Sequence, residues 1–578
     1  MPKSVTKLDL TKIPFGRSHN GIMIYEENNS DGESYKPGLY LSMRIQGGDF
    51  RRKGLVDLDP IVNGESVSYT YEATPDALVM KCAEGTVKVV IDTERTMRIS
   101  GQGVGIRLYT KIPFLTMELA TMLPGGLADL NLMSINQDGG RFLFKALKGE
   151  VTVDSVFNVL LNGPEDAKVE FLPDENGEFE IATYLMNPDE WGYIDYLPID
   201  EAAAAVKANF DEFAKAYPEA AEEWTELCEL CTYVIWMHRS GKNDREIIPT
   251  VKGDLIYTGT YKNGWANIYE QPIHAMAMSD TAAAVKLLCD TYKHMANGML
   301  PASVSTFKTH YQASPATVGA AVLEILEKGI DAEAAKELYG AMTENYGWWK
   351  SSHSFAAGRF SYNHRDEVAL EGVSINACEF PVETPDLYAY MALYAEAIAK
   401  LSAIVGDGKA DEWAAEQKAI VEELVKLWDG ESFLCRAAVS GKTYKTNSVL
   451  AYIPVVLGDR LPAEIIEKLV ADLGDENKFL SDRGFRSESK ESALYDAAVE
   501  GRGAVVAWIQ QLLISGLAKC GANDLVKKAG LAYLGYVKEV GARDVLSADG
   551  EQPCRRPGNY INSIACAAVI YIAGKLNG

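Results

Sequence analysis

Positive charge is scarce in this chain. Against 81 Asp and Glu there are 56 Lys and Arg, a formal net charge of −25 over 578 residues. Affinity for nucleic acid comes largely from Lys and Arg replacing counterions along the phosphates, so DNA and RNA are poor partners. No apolar run is long enough to span a bilayer, and the N-terminus, MPKSVTKLDLTKIPFG, lacks the apolar core of a signal peptide. The expectation is a cytoplasmic protein without a membrane partner. The nine cysteines are odd in number and scattered, which fits a reducing compartment better than a disulfide framework. Cys228 and Cys231 have CxxC spacing, but they sit in a helix-period stretch with no second pair, which favours core packing over zinc.

Catalytic signatures are missing too. There is no phosphate-cradling G-x-x-x-x-G-K-S/T loop, no H-E-x-x-H helix and no G-x-S-x-G elbow. The seven histidines are dispersed, with no two at metal-ligand spacing on a helix. No cofactor and no catalytic metal are expected.

The residues that are present change grammar near Pro198. Before it the period is two: DALVMKCAEGTVKVVIDTERTMRIS alternates around a turn at Glu84-Gly85, and GLYLSMRI, GRFLFKAL, EVTVDSVFNVLL and EFEIATYLM are further strands between Asn, Asp, Gly and Pro clusters. After it the period is 3.6, with helices expected at 219–238, 274–297, 315–329, 331–345, 386–404, 409–428, 462–473, 503–519, 522–540 and 559–575. The spacing predicts a multidomain chain: an N-terminal antiparallel β-sandwich over 1–198, a helical linker over 199–222 and an all-α domain over 223–578. Long connections (240–272, 346–384, 429–448, 474–501, 541–558) carry charged and aromatic residues, and long structured loops in a compact domain are commonly functional.

Loops rich in aromatics, amides and carboxylates suit a sugar, because aromatic faces stack on pyranose rings while amides, His and carboxylates bond the hydroxyls. Cleaving a glycosidic bond then needs two carboxyl groups on opposite sides of the anomeric carbon. On the residues alone, Glu371 in YNHRDEVALEG is either that acid or a solvated loop carboxylate. Asp386 reads as the cap of a helix starting at Leu387.

The stretch YNHRDEVALEG followed by EFPVETPDLYAYMALYAEAIAKL resembles a pattern of glycoside hydrolase family 63 and its trehalase and glycogen-debranching-like relatives. SGKTYKTNSVLAYIPVVLGDRLP, GFRSESKESALYD and GRGAVVAWIQQLLISGLAKCG keep the order of further family segments, over roughly residues 255 to 575. The resemblance implies a C-terminal (α/α)6 toroid and an exo-acting, inverting α-glycosidase, α-glucosidase-like, acting on a small oligosaccharide or glycoside. It places Glu371 at the general acid and, with one residue deleted, Asp544 at the general base, each with the carboxylate changed from Asp to Glu or the reverse. Tyr269 and Glu270 fall at a Trp-Asp pair that lines the sugar subsite, and Glu551 at a downstream glycine-glutamate pair.

Further expected sugar contacts are Gln271, Gln312, Trp348, Trp349, Tyr362, Asn363, His364, Asp366 and Arg502. His274 is either a subsite residue or a core histidine. A phosphorylase, lyase or isomerase on the same toroid, or a sugar-binding protein without catalysis, are the competing functions. The sequence leaves the oligomeric state open, a homodimer included.

Overall fold

The computed structural model describes residues 7–27, 37–43, 56–110, 120–124, 126–131, 141–160, 163–186, 196–241, 255–256, 266–267, 271–304, 309–368, 370–550, 554 and 561–577. Tyr269, Glu270 and Glu551 lie outside these residues.

Among the described residues the N-terminal part forms two eight-stranded sheets, antiparallel throughout. In the first, Val56–Val62 and Gly105–Thr110 lie at the centre, flanked by Gly38–Met43 and Gly163–Leu172. In the second, Glu178–Met186 and Thr96–Gln102 are central. Alternation does what period two demands: Leu78, Met80, Val87, Val89, Met97 and Ile99 are buried between the sheets, while Lys81 and Lys88 face outward. The hairpin closes at Glu84-Gly85, where the Cys82 N–H donates to the Gly85 carbonyl at 2.8 Å.

Among the described residues twelve α-helices follow: α1 (Ile199–Ala214), α2 (Thr225–Met237), α3 (Gln271–Ala277), α4 (Thr281–Tyr292), α5 (Val318–Lys328), α6 (Ala332–Ser352), α7 (Pro385–Val405), α8 (Ala410–Val425), α9 (Ala463–Leu473), α10 (Ala507–Lys519), α11 (Asn523–Val540) and α12 (Ser563–Asn577). Helix α1 packs on α2 and on the strand Thr86–Val90. The hydroxyl of Tyr233 on α2 accepts from the Gly16 N–H at 2.8 Å, tying the helical part to the sandwich.

Six elements close a ring: α3 packs on α5, α5 on α7, α7 on the short-turn helix Ile453–Arg460, that helix on α10, α10 on α12, and α12 back on α3. The alternate elements α2, α4, α6, α8, α9 and α11 pack outside it, so inner and outer helices alternate along the chain. Composition follows position. Inner α7, α10 and α12 are buried almost all round, whereas outer α8 buries only Ile420 and Leu424. Gly319 and Gly516 allow inner neighbours to touch: a Cβ on Gly319 would lie 2.6 Å from the Tyr394 nitrogen, and one on Gly516 2.8 Å from that of Val456.

Two sequence expectations change. The helix expected over 274–297 is two helices, because Asp280 accepts from the Ala283 N–H at 2.9 Å and starts α4; this break turns the chain from the inner ring to the outer. The inner segment Ile453–Arg460 escaped the helical pattern because Pro454 and a kink at Gly458 (φ 56°) keep it from forming a regular α-helix.

Candidate active site

Inner and outer helices alternate in direction, so the six inner elements start at one end of the ring, and the described residues that lead into them form a mouth there. Gln271 and Trp508, at the starts of α3 and α10, line a cleft together with Thr317 before α5 and Asn345, Trp348 and Trp349 on α6. Adjacent residues on a helix differ in direction, so the two indoles sit edge to face, with centroids 5.3 Å apart. Trp349 is buried and Trp348 half-buried. Asn345 is fixed by its amide donating to the Gly298 carbonyl at 2.8 Å and its oxygen accepting from the Tyr394 hydroxyl at 2.9 Å. Gln271 is buried, and its side-chain oxygen has no partner among the described residues.

The stretch 361–371 divides into a buried root and an exposed crest. Tyr362 is fully buried, pairs with Val382 through two backbone bonds of 2.8 and 2.9 Å, and donates its hydroxyl to Asp386 at 3.0 Å. It is a strut under the loop rather than part of an open rim. Asn363 is exposed and donates to the Ser352 carbonyl at 2.9 Å; His364 and Asp366 are exposed and face each other at 3.2 Å. Glu371 is exposed at the loop's end, and its carbonyl accepts from the Gly501 N–H at 2.8 Å. Gly501 must be glycine here, since a Cβ would come within 2.7 Å of that same carbonyl and 2.5 Å of the Val373 nitrogen.

Asp544 is reached from the other side. Its carbonyl accepts from the Ala507 N–H at 2.8 Å, beside the pairing of Val505-Val506 with Val545-Leu546. The two expected acids thus attach at the two ends of one short stretch, Gly501 to Ala507, that leads into Trp508 of the cleft. Arg502 lies within that stretch, half-buried, with its Nε lacking a partner among the described residues.

His274 is not gathered with them. Its Nε2 is 2.8 Å from the Glu324 carboxylate, and its ring lies 4.6 Å from that of Tyr571 in the ring's interior. Gln312 is half-buried next to Ala313 of the cleft wall. Asp386 sits in the first turn of α7 with Thr384 at the N-cap position, two residues earlier than a cap for Leu387 would require. Burial pushes its carboxyl up to about 6 against the opposing bonds from Thr384, Tyr362 and the first-turn N–H groups.

Three carboxylates that read as solvated or secondary in the sequence are buried. Glu488 accepts from Ser374 at 2.8 Å and Ser492 at 2.7 Å, and burial raises its pKa despite these bonds and the charge of Arg502. Glu383 is fully buried between Arg359, Arg436 and the Tyr388 hydroxyl. Glu367 belongs to the loop itself. In sequence all three stand among charged or hydroxyl neighbours, as solvated acids do; only the residues that fold over them show otherwise. Among the described residues no three His, Cys, Asp or Glu side chains converge as metal ligands, and no helix is long and apolar enough to cross a membrane.

Residues 273–546 match the family model described as the mannosylglycerate hydrolase MGH1-like glycoside hydrolase domain. The matched residues, most of the helical ring, form a glycoside hydrolase domain. No curated protein matches the sequence. Among solved structures, this glycosidase resembles the family GH92 α-mannosidase of Bacteroides thetaiotaomicron over 97% of its own length and 82% of that chain, at 12% identity and a TM-score of 0.52. The GH63 mannosylglycerate hydrolase of Thermus thermophilus covers 53% of this chain and 92% of its own, at 15% identity and a TM-score of 0.46. At such identity the α-mannosidase shows a shared fold, sandwich and helical ring together, and no more.

Proposed function

We propose that this glycosidase is an exo-acting, inverting α-glycosidase that removes a sugar from a small oligosaccharide or glycoside, with Glu371 as general acid and Asp544 as general base. The observation that carries the reading is the attachment of both acids to the Gly501–Ala507 stretch beside an aromatic cleft. In the reaction, Glu371 gives its proton to the glycosidic oxygen as the bond to the anomeric carbon breaks. Asp544 takes a proton from the water that attacks the opposite face, and the product leaves with inverted configuration. Such a pair leaves roughly 6.5–9.5 Å between carboxyl groups for that water. Trp348, Trp349 and Trp508 offer faces for the ring, and Gln271 and Asn345 offer amides for its hydroxyls. The related names point first to α-mannosides, mannosylglycerate among them. The uncommitted Nε of Arg502 suits the carboxylate of that glyceryl group.

A screen of α-linked disaccharides and aryl glycosides, with and without inorganic phosphate, tests this on the wild type and on Glu371→Gln. The expected result is phosphate-independent turnover, inverted product by NMR, and a kcat loss of about 10²–10⁴-fold in Glu371→Gln that shrinks for aryl leaving groups. Turnover that requires phosphate makes the protein a phosphorylase. Undiminished turnover in Glu371→Gln removes that residue from the mechanism.

A further inference from the structure

His353 stands where the aromatic wall meets the acid loop. It ends α6, with its N–H donating to the Trp349 carbonyl at 2.8 Å, and its ring lies 4.9 Å from the Trp348 ring and 4.8 Å from the Trp349 ring. Its Nδ1 is 2.8 Å from the Ser352 hydroxyl, which fixes the ring's rotation. Its Nε2 is 3.3 Å from Oε2 of Glu367, and both side chains are nearly excluded from solvent.

The same Oε2 of Glu367 accepts from the Asn363 N–H at 2.6 Å and the His364 N–H at 3.2 Å. Those bonds hold the tight turn Arg365–Val368 that leads to Glu371. Burial would raise this carboxyl, but the adjacent His353 imidazole and the two N–H donors hold it below the ordinary range, so it is an anion. Two more bonds tie the same segments together: Ser361 N–H to the His353 carbonyl at 2.9 Å, and the Asn363 amide to the Ser352 carbonyl at 2.9 Å. Neither His353 nor Glu367 lines the cleft. An imidazole wedged against two indoles cannot stay while they move, because it is in ring-to-ring contact with both. If it moves, it draws on the single oxygen that sets the turn.

We propose that His353 and Glu367 are positioning residues that couple the Trp348–Trp349 wall of the sugar cleft to the loop carrying Glu371, so that a sugar seated on the wall sets the acid loop for turnover. The inference rests on the glycosidase reading above for its effect on rate, and on geometry alone for the coupling. A sugar that does not stack on the wall then binds without being cleaved efficiently.

The test is a double-mutant cycle between Trp348→Ala and Glu367→Gln in the full chain. It is read in kcat and KM on the best glycoside found, and separately in Kd for D-mannose and D-glucose by calorimetry. The expected result is that the Trp348→Ala penalty shrinks by at least about three-fold in the Glu367→Gln background. His353→Gln supplies the second arm, since its amide can still donate to Glu367 but cannot fill the space between the indoles. kcat is expected to fall by at least about three-fold while KM stays within about two-fold. Penalties that simply multiply overturn the coupling. So do variants whose folded fraction keeps wild-type kcat and KM while only the melting midpoint falls. If no glycoside is turned over, the glycosidase reading fails and the cycle is still decided in Kd; if neither sugar binds, the aromatic wall is not a sugar site and the inference falls with it.

Discussion

Glu324 and Asp386 are both buried carboxylates on inner helices of the same ring, and they are perturbed in opposite directions. Glu324 lies toward the ends of the inner helices. Burial would raise its carboxyl, yet His274 at 2.8 Å and Lys575 at 2.8 Å hold it well below its usual range. Nearby, Arg460 clamps Glu396 with two bonds, and Lys328 donates to the Ala277 carbonyl at 3.0 Å beyond the last turn of α3. Asp386 lies at the mouth, where burial wins and the carboxyl is pushed up to about 6. The mouth also holds Gln271, Gln511 and Arg502 with buried side-chain atoms that lack partners among the described residues. Leaving such atoms unmatched costs stability, and proteins keep that cost where a ligand or ordered water completes the site. One end of the ring holds the fold together, and the other keeps bonding capacity in reserve.

The sharpest way to break this contrast is Glu324→Gln. Removing the charge leaves Lys575 and His274 without their buried counter-ion, so unfolding in urea at pH 7 is expected to fall by about 3–5 kcal/mol, with kcat per folded molecule unchanged. The pH course carries the sign. Because the folded carboxyl is depressed below its ordinary value of 4.5, its contribution is present above that pH and is lost as pH falls through the folded value. Wild type and variant should therefore converge in acid.

Asp386→Asn is expected to act in the other direction. The folded carboxyl keeps its proton up to about 6, against an ordinary value of 3.8, so its ionisation destabilises the protein progressively as pH rises between those values. A shift of that size corresponds to about 3 kcal/mol. The asparagine oxygen still accepts from Tyr362, so the variant should be more stable than wild type by about 2 kcal/mol at pH 8, with no gain at pH 4. A loss of stability at pH 8 would show that the charge at the start of α7 is matched after all.

Lys328→Met gives the smallest effect. Its ammonium is on the surface side of the bond to the Ala277 carbonyl, and caps of this kind contribute roughly 0.5–1 kcal/mol at low salt. The difference from wild type should shrink in 1 M salt, measured by the urea midpoint. An equal change in kcat would mean that the two ends of the ring are less separate than their bonding suggests.

Much of the fold was legible because it is written locally. Alternation around Glu84-Gly85 needs only neighbours to make a hairpin, and the 3.6 period after Pro198 located nearly every helix to within a few residues. Of the candidate site, the sequence named residues that the fold brings near one another. Trp348 and Trp349 line the cleft, and Glu371 and Asp544 attach to one stretch of chain. What escaped depends on partners far away in sequence. His274 looked equally like a subsite residue and a core residue until Glu324, 50 positions on, was seen to hold it. Glu488 looked solvated until Ser374, 114 positions earlier, was seen to donate to it.

The sequence by itself determined the period of each segment, the change of grammar at Pro198 and the set of residues able to meet a sugar, because backbone propensity and side-chain chemistry act over a few residues. The tertiary structure alone decided that α3 breaks from α4 at Asp280, that α12 returns to close the ring on α3, and which carboxylates are buried, paired or left open to solvent. Burial and pairing depend on what folds over a side chain, and in a ring closed by its last helix that is fixed only when the whole chain is in place.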